Sequence, residues 1–324
     1  MNIVMLDTSA LGDDVDLSVF ESLGSVTRYM NTQPDEVIHR AKDADVVLTN
    51  KVVFGKAEID ALPKLKYIGV NATGTNNIDL EYAATKGITV TNVKGYSTDA
   101  VVQHTFALLF YVYEKLRYYD DFVKLGAYSE CGCFTHFDRK FYELKGKTWG
   151  IIGLGEIGRG VARIAEAFGC RVIYYSTSGK NSNSDYERVD FDELLSNSDI
   201  ISIHAPLNAA TNGLIDGAAF DKMKTSAVLI NVGRGPIVND GALAEALEEN
   251  KIAAAALDVV SVEPIEKDNP LMSIKDSNKL IITPHIAWAP CETRQRLVNE
   301  VYLNLLAFTK GEKRSVVNDI YKQP

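Results

Sequence analysis

Trp149-Gly150-Ile151-Ile152-Gly153-Leu154-Gly155-Glu156-Ile157-Gly158 is the stretch that decides the fold. It places G-x-G-x-x-G straight after an apolar run. A helical pattern follows from Ile157 to Phe168, closed by Gly169, and then a second apolar strand, Arg171-Val172-Ile173-Tyr174-Tyr175. Glycines in such a spacing are weak evidence alone. A whole strand–helix–strand unit with the glycines in its first turn is the dinucleotide fingerprint. The glycines let backbone approach a pyrophosphate, whose charge meets the positive end of the helix. Gly153, Gly155, Glu156, Ile157 and Gly158 are therefore read as cofactor-binding.

The end of the second strand departs from the usual pattern. An Asp or Glu normally stands about 20 residues past the fingerprint and holds the adenosine ribose hydroxyls. Here the chain reads Ser176-Thr177-Ser178-Gly179-Lys180. These residues offer hydroxyls and one ammonium, and no carboxylate to repel a 2′-phosphate. NAD(H) and NADP(H) both stay open, and Lys180 reads equally as a phosphate partner or as a solvated loop residue.

Downstream, three apolar runs end in functional side chains. Ala227 to Ile230 leads into Asn231-Val232-Gly233-Arg234-Gly235. Ile252 to Leu257 leads into Asp258-Val259-Val260-Ser261-Val262-Glu263-Pro264. Leu280 to Ile282 leads into Thr283-Pro284-His285-Ile286-Ala287-Trp288. Each run reads as a buried parallel strand, and ligands of open α/β sheets bind beyond the carboxyl ends of strands. Taken singly, an Arg after a strand is usually a surface residue and a His after Pro usually a structural one. Taken together, Arg234, Glu263 and His285 suit a small 2-oxo or 2-hydroxy acid. The Arg would take the carboxylate, the His the proton, and the Glu would hold the His.

The whole chain bounds this reading. Its 324 residues suggest two domains. An apolar content of 46% with 24% charged residues describes a soluble globular protein. The net charge of −9 argues against nucleic acid or an anionic membrane as partner. The start, Met1-Asn2-Ile3-Val4-Met5-Leu6-Asp7, reads as a first strand and not a signal peptide, and no apolar run is long enough for a transmembrane helix. The four cysteines, Cys131, Cys133, Cys170 and Cys291, form no C-x-x-C pair. They read as reduced thiols of a cytoplasmic protein, and no metal site is assigned.

Strand signals at Asn2–Asp7, Asp45–Thr49, Tyr67–Val70 and Ile88–Val90 alternate with helical ones such as Pro34–Ala41 and Leu80–Thr85. They imply a smaller α/β domain of flavodoxin-like form. A long helix is expected from Thr98 to about Tyr119, then an irregular aromatic-rich segment from Asp120 to Glu143. Further strands begin at Thr148, Arg171, Asp199, Ala227, Ile252 and Leu280 and form a Rossmann doubly wound parallel sheet. A last helix, Glu292 to Lys310, is expected to return to the first domain. The expected division is 1–97 plus 294–324 for the substrate domain and 98–293 for the dinucleotide domain, with a hinged cleft between them. The polar run Ser176 to Asp185 is read as a loop.

These residues resemble the D-isomer-specific 2-hydroxyacid dehydrogenase family over nearly the full length. Within it the sequence is most similar to bacterial glycerate dehydrogenases (hydroxypyruvate reductases). That closer likeness rests on Asn71-Ala72-Thr73-Gly74-Thr75-Asn76-Asn77-Ile78-Asp79, on Tyr96-Ser97-Thr98-Asp99-Ala100-Val101-Val102-Gln103-His104, and on Trp288 after the His motif. The resemblance implies that Arg234 binds the substrate carboxylate and polarises the carbonyl. It makes His285 the proton donor in reduction and Glu263 its partner. Backbone N–H groups around Ala72, Thr73 and Gly74 would take the carboxylate, and Lys51 would face the substrate. Asp258 and His204-Ala205-Pro206 would lie along the cofactor. A homodimer through the nucleotide domain is the family's expectation, with Tyr118 to Tyr142 as a candidate surface.

Two positions depart from the family: Ser176 stands where NAD-using relatives carry an acid, and Gln103 where many carry Glu. His104 is expected to be a packed interdomain residue. Trp288 stays open between pocket wall and core. Formate dehydrogenases of the superfamily carry Gln where Glu263 stands, so the Glu argues for proton transfer. The chain reads as ending at Pro324 without the regulatory domain of many phosphoglycerate dehydrogenases. Lactate/pyruvate-type enzymes and nucleotide-sensing co-repressors of the same fold remain the alternatives. In the enzyme reading the substrate pair is glycerate/hydroxypyruvate or glyoxylate. One methylene gives only about 1–3 kcal/mol of discrimination, so the residues do not choose among these acids. An imidazole with its ordinary pKa of about 6.5 suits the proton transfer, and a neighbouring carboxylate favours its charged form.

Overall fold

The glycine turn follows an interior strand of a parallel sheet. The computed structural model describes residues 1–181 and 184–321; Ser182 and Asn183 of the polar run, and residues 322–324, lie outside the described residues. The chain divides into two compact units, Met1–Ser97 with Ala289–Pro324, and Thr98–Trp288. The sequence reading set the second crossing at residue 294; the units part between Trp288 and Ala289.

The first unit holds five strands: β1 (Asn2–Met5), β2 (Ser25–Arg28), β3 (Val46–Thr49), β4 (Tyr67–Val70) and β5 (Thr89–Thr91). They pair in parallel in the order β2-β1-β3-β4-β5, the flavodoxin-like order. β3 and β4 are buried along their whole length, as strands covered on both faces must be. The helix Cys291–Thr309 belongs to this unit. Asn304 on it donates to the Asn92 carbonyl at 3.0 Å, and Phe308 meets the Tyr67 ring at 4.9 Å. Strand β2 was missed in the sequence. It is an edge strand with little burial, so Ser25-Val26-Thr27-Arg28 shows no apolar run.

The second unit holds seven parallel strands: β6 (Thr148–Ile152), β7 (Arg171–Tyr175), β8 (Glu187–Arg188), β9 (Ile200–Ile203), β10 (Val228–Asn231), β11 (Ala254–Leu257) and β12 (Leu280–Ile282). Their order is β12-β11-β10-β9-β6-β7-β8. The chain leaves β6 for β7 on one side and returns to β9 on the other, which makes the β6–β9 boundary the switch point where dinucleotides bind. Trp149 on β6 is fully buried and its indole N–H donates to Ser202 on β9 at 2.8 Å. Edge strand β8 has two exposed residues and carried no sequence signal.

The long helix expected from Thr98 to Tyr119 is broken. It runs Thr98–Tyr113, passes through Lys115 in left-handed backbone (φ 57°), and resumes as Leu116–Lys124 and Ala127–Glu130. The segment expected to be irregular from Asp120 is thus helical at its start. The Lys115 ammonium donates to the Asn278 carbonyl at 3.1 Å. No Gly or Pro marks this break, so the sequence pattern ran straight through it.

Candidate active site

Arg234, Glu263 and His285 all stand beyond carboxyl ends of adjacent strands in the second unit. β10 ends at buried Asn231, whose side chain shapes the next turn: its oxygen accepts the Gly233 N–H and its amide donates to the Arg234 carbonyl, both at 3.0 Å. Arg234 is exposed, with one guanidinium nitrogen donating to the Gly233 carbonyl at 2.8 Å. At Gly235 a Cβ would lie 1.8 Å from the Val260 carbonyl oxygen. The turn after β10 therefore meets the loop after β11 backbone to backbone. Buried Asp240 fixes that loop from below, accepting from the Ser261 hydroxyl and from Asn269 Nδ2 at 2.8 Å.

Glu263 Oε2 lies 2.7 Å from His285 Nδ1. A carboxylate can only accept, so Nδ1 carries the proton here. The other Glu263 oxygen accepts the Val260 N–H at 3.4 Å. Among the described residues nothing in the protein bonds His285 Nε2, so that nitrogen is left for a ligand. His285 also holds left-handed backbone, φ 55°. A non-glycine residue there costs about 1–3 kcal/mol and persists only where its surroundings fix it.

Asp258 does the fixing. It is 1% exposed, at the end of β11. Its Oδ1 accepts the Thr283 hydroxyl at 2.6 Å and the Ile286 N–H at 2.8 Å; Oδ2 accepts the Ala287 N–H at 2.8 Å. Its carbonyl accepts the His285 N–H at 2.9 Å. His104 Nε2 stands 3.0 Å from Thr283 Oγ1 and 3.5 Å from Asp258 Oδ1. Burial pushes the Asp258 carboxyl up. Hydrogen bonds from His104, Thr283, Ala287 and Ile286 outweigh it and hold the group below the ordinary carboxylate range. The Asp258 carboxylate thus spends its oxygens on the His285 turn. His104, Thr283 and Asp258 all belong to the second unit. Trp288 is half-buried and Gln103 exposed.

The nucleotide turn fits a dinucleotide on three observations. Gly155 is exposed and a Cβ there would meet open space, so a ligand can come up to bare backbone. The helix Glu156–Ala167 begins at Gly155 with no side-chain cap, leaving its first N–H groups for an anion. His204 Nδ1, beyond β9, is buried with no partner among the described residues, a group that a bound ligand can satisfy. Close packing builds the cradle. Gly153 has φ 93° and a Cβ there would lie 2.8 Å from Ala205 N; at Gly158 one would lie 2.3 Å from the Gly153 carbonyl. Ala205 is thus beside the turn, while Pro206 is exposed. Burial pushes the His204 imidazole down to about 3.

Beyond β7, Ser176 is buried and its hydroxyl accepts the Asn181 N–H at 3.3 Å. Asn181 Nδ2 in turn donates to the Leu154 carbonyl of the glycine turn at 2.6 Å. Thr177 is half-buried; Ser178 and Lys180 are exposed, with the Lys180 N–H on Ser178 Oγ at 3.2 Å. Sequence reasoning missed Arg188 of β8. Its Nη1 donates to the carbonyls of Gly179 at 3.1 Å and Asn181 at 3.3 Å. A two-residue edge strand gave no pattern by which to find it.

In the first unit, Asp7 follows β1 and is buried. It accepts the Thr49 hydroxyl at 3.1 Å, the Asn50 N–H at 2.9 Å and the Lys51 N–H at 2.7 Å. Lys51 is exposed. After β4, the carbonyls of Ala72 and Thr73 accept from Val93 N and Asn92 Nδ2. The N–H groups of Ala72, Thr73 and Gly74 donate to no protein acceptor among the described residues, three free donors in a row. Asp7 gave no signal in the sequence, where it only ended an apolar run.

Comparison with known proteins decides the family. A family model described as D-isomer specific 2-hydroxyacid dehydrogenase, NAD binding domain, matches residues 106–287. This chain belongs to the D-isomer specific 2-hydroxyacid dehydrogenases. It is 40% identical to a hydroxypyruvate reductase of Blautia hydrogenotrophica, over 98% of this chain and 100% of the relative. It is 35% identical to a glycerate dehydrogenase of Methylorubrum extorquens, over 97% and 98%. An acyclic imino acid reductase solved with NADPH and D-Arg superposes with a TM-score of 0.85 at 30% identity, over 98% and 100%. The protein is thus a 2-hydroxyacid dehydrogenase that uses a nicotinamide cofactor. This sets aside the co-repressor alternative. Among the described residues no helix is long and apolar enough to cross a membrane.

Proposed function

We propose that this dehydrogenase interconverts hydroxypyruvate and D-glycerate, or reduces glyoxylate, with Arg234, Glu263 and His285 as its catalytic residues. The observation that carries the reading is the His285–Glu263 pair at 2.7 Å with Nε2 left free. A bound reduced nicotinamide supplies the hydride. His285 Nε2 then delivers a proton to the carbonyl oxygen as that oxygen gains charge, and takes it back in oxidation. Glu263 keeps Nδ1 protonated and the ring oriented. Arg234 presents two parallel N–H donors to the substrate carboxylate. Lys51 and the free N–H groups of Ala72, Thr73 and Gly74 are our candidates for further carboxylate donors. For the cofactor we assign Gly153, Gly155, Glu156, Ile157 and Gly158 to the pyrophosphate. Ser176, Thr177, Ser178 and Lys180 go to the ribose, and His204, Ala205 and Pro206 along the dinucleotide. Asp258 holds the His285 turn and keeps its assignment beside the cofactor.

The hydroxypyruvate and glyoxylate assignments follow the names of the relatives, and a methylene difference is too small for the site alone to choose. Cofactor absorbance with glyoxylate, hydroxypyruvate and pyruvate, each against NADH and NADPH, tests the reading. Turnover of pyruvate well above the other two would overturn it in favour of a lactate-type enzyme. We further propose a cytoplasmic homodimer. Its support is the exposed apolar set Leu125, Phe134 and Phe137 at 83%, 92% and 76% exposure. Sedimentation showing a monomer at micromolar concentration would refute the dimer.

A further inference from the structure

The polar turn after β7 is braced by a cation that strand β8 supplies. Tyr174 pairs with Arg188 in the β7–β8 register. From there the Arg188 side chain reaches along the turn, and Nη1 donates to the carbonyls of Gly179 and Asn181. Its Nη2 lies 4.0 Å from where a Cβ on Gly179 would stand, and no protein group among the described residues bonds it. Arg188 is exposed and forms no ion pair among the described residues. The neighbouring Glu187 carboxylate is committed to Arg171 at 2.6 Å. Residues 176–181 contain no acid. The same turn is locked to the pyrophosphate end of the cradle, because Asn181 bonds both Ser176 Oγ and the Leu154 carbonyl.

We propose that Arg188 is the anchor of a phosphomonoester subsite, and that through it the enzyme prefers a cofactor bearing a 2′-phosphate. The proposal rests on the dinucleotide reading of the glycine turn. Nη1 is spent on two carbonyls, which fixes the guanidinium plane. The Nη2 edge keeps donors for a dianion, and planar guanidinium donors fit phosphate oxygens better than an ammonium does. Ser178 Oγ and the Lys180 ammonium stand on the same short turn and complete the donor set. A 2′-hydroxyl offers Arg188 no charge to meet, so the gain is confined to the phosphorylated cofactor.

Titration calorimetry with adenosine 2′,5′-bisphosphate and 5′-AMP separates the possibilities without any turnover. Wild-type protein should bind the bisphosphate about 10-fold or more tighter than 5′-AMP, as a charge-assisted bond implies. R188Q, which loses the brace on the turn as well as the free Nη2 edge, should weaken both ligands but the bisphosphate far more, removing most of that ratio, and R188K should restore only part of it. The wild-type ratio should shrink as salt rises. Equal weakening of both ligands in R188Q would make Arg188 a strut for the turn and overturn the proposal. Equal wild-type affinity for the two ligands would overturn it as well, with the nucleotide site intact. A wild-type protein that binds neither ligand would remove the dinucleotide reading itself, and this proposal with it.

Discussion

Asp7 and Asp258 are built alike and serve different ends. Each follows a strand, β1 or β11, and is buried. Each accepts two consecutive backbone N–H groups and a Thr hydroxyl from where the neighbouring strand passes into its loop: Asn50, Lys51 and Thr49 for one, Ile286, Ala287 and Thr283 for the other. The first loop presents Lys51. The second presents His285, in left-handed backbone and bonded to Glu263. An ammonium is a point charge whose direction matters little. An imidazole must aim one nitrogen. The second aspartate accordingly carries more: its carbonyl takes the His285 N–H, and His104 stands against its carboxylate. One device fixes a charge in place, and with two additions it fixes a direction.

The sharpest break comes at the residues presented. H285A should cut turnover by about 10²–10⁴-fold with nucleotide binding intact. K51A should lower kcat/KM by only about 10-fold, chiefly through KM, as for one lost charged hydrogen bond. Steady-state kinetics on both variants reads the contrast, and a larger loss in K51A would invert it.

Next come the aspartates themselves. D258N and D7N should each lose stability by about 1–3 kcal/mol, since each leaves buried donors short of an acceptor. Denaturant melts should put them close together. Kinetics should not: D258N tilts the imidazole and should lower kcat about 10²-fold, while D7N stays within a few-fold of wild type. Equal kcat losses would mean that the extra bonds at Asp258 add nothing to aim.

Smaller effects follow at the hydroxyls. T49V removes one bond to Asp7, and T283V removes one to Asp258 together with the link to His104. We expect about 1 kcal/mol for T49V and more for T283V. A separate effect, read as a pH slope, lies outside both aspartate clusters. His204 is pushed from 6.5 to about 3 by burial. As pH falls through that window the unfolded chain takes up a proton that the folded one refuses, so stability drops; above it the group contributes no slope. H204Q should flatten the fall between pH 6.5 and 3 in melts of the protein without nucleotide. An unchanged slope would place the acid sensitivity elsewhere.

The sequence revealed what periodicity and motif can carry. Fully buried β9, β10 and β11 are visible as apolar runs, and the glycine turn announces the switch point. Arg234, Glu263 and His285 were singled out because each follows such a run. The two edge strands β2 and β8 were invisible because edges are wet and short, and Arg188 was lost with β8. Asp7 and Asp240 were missed for another reason. Their meaning lies in partners 42 and 21 residues away, and no local pattern reports a partner at that distance. The break at Lys115 was hidden because a lysine, not a glycine, adopts the left-handed turn.

Gly235 has a consequence for anyone who would retarget this enzyme. Because a single methyl there would strike the Val260 carbonyl, the arginine turn and the glutamate loop share one seam. Widening the pocket by lengthening or replacing residues 260–263 would drag Arg234 along. Specificity is therefore better altered from side chains that line neither edge of that seam. A library that randomises the two loops independently would recover mostly variants in which neither loop has moved.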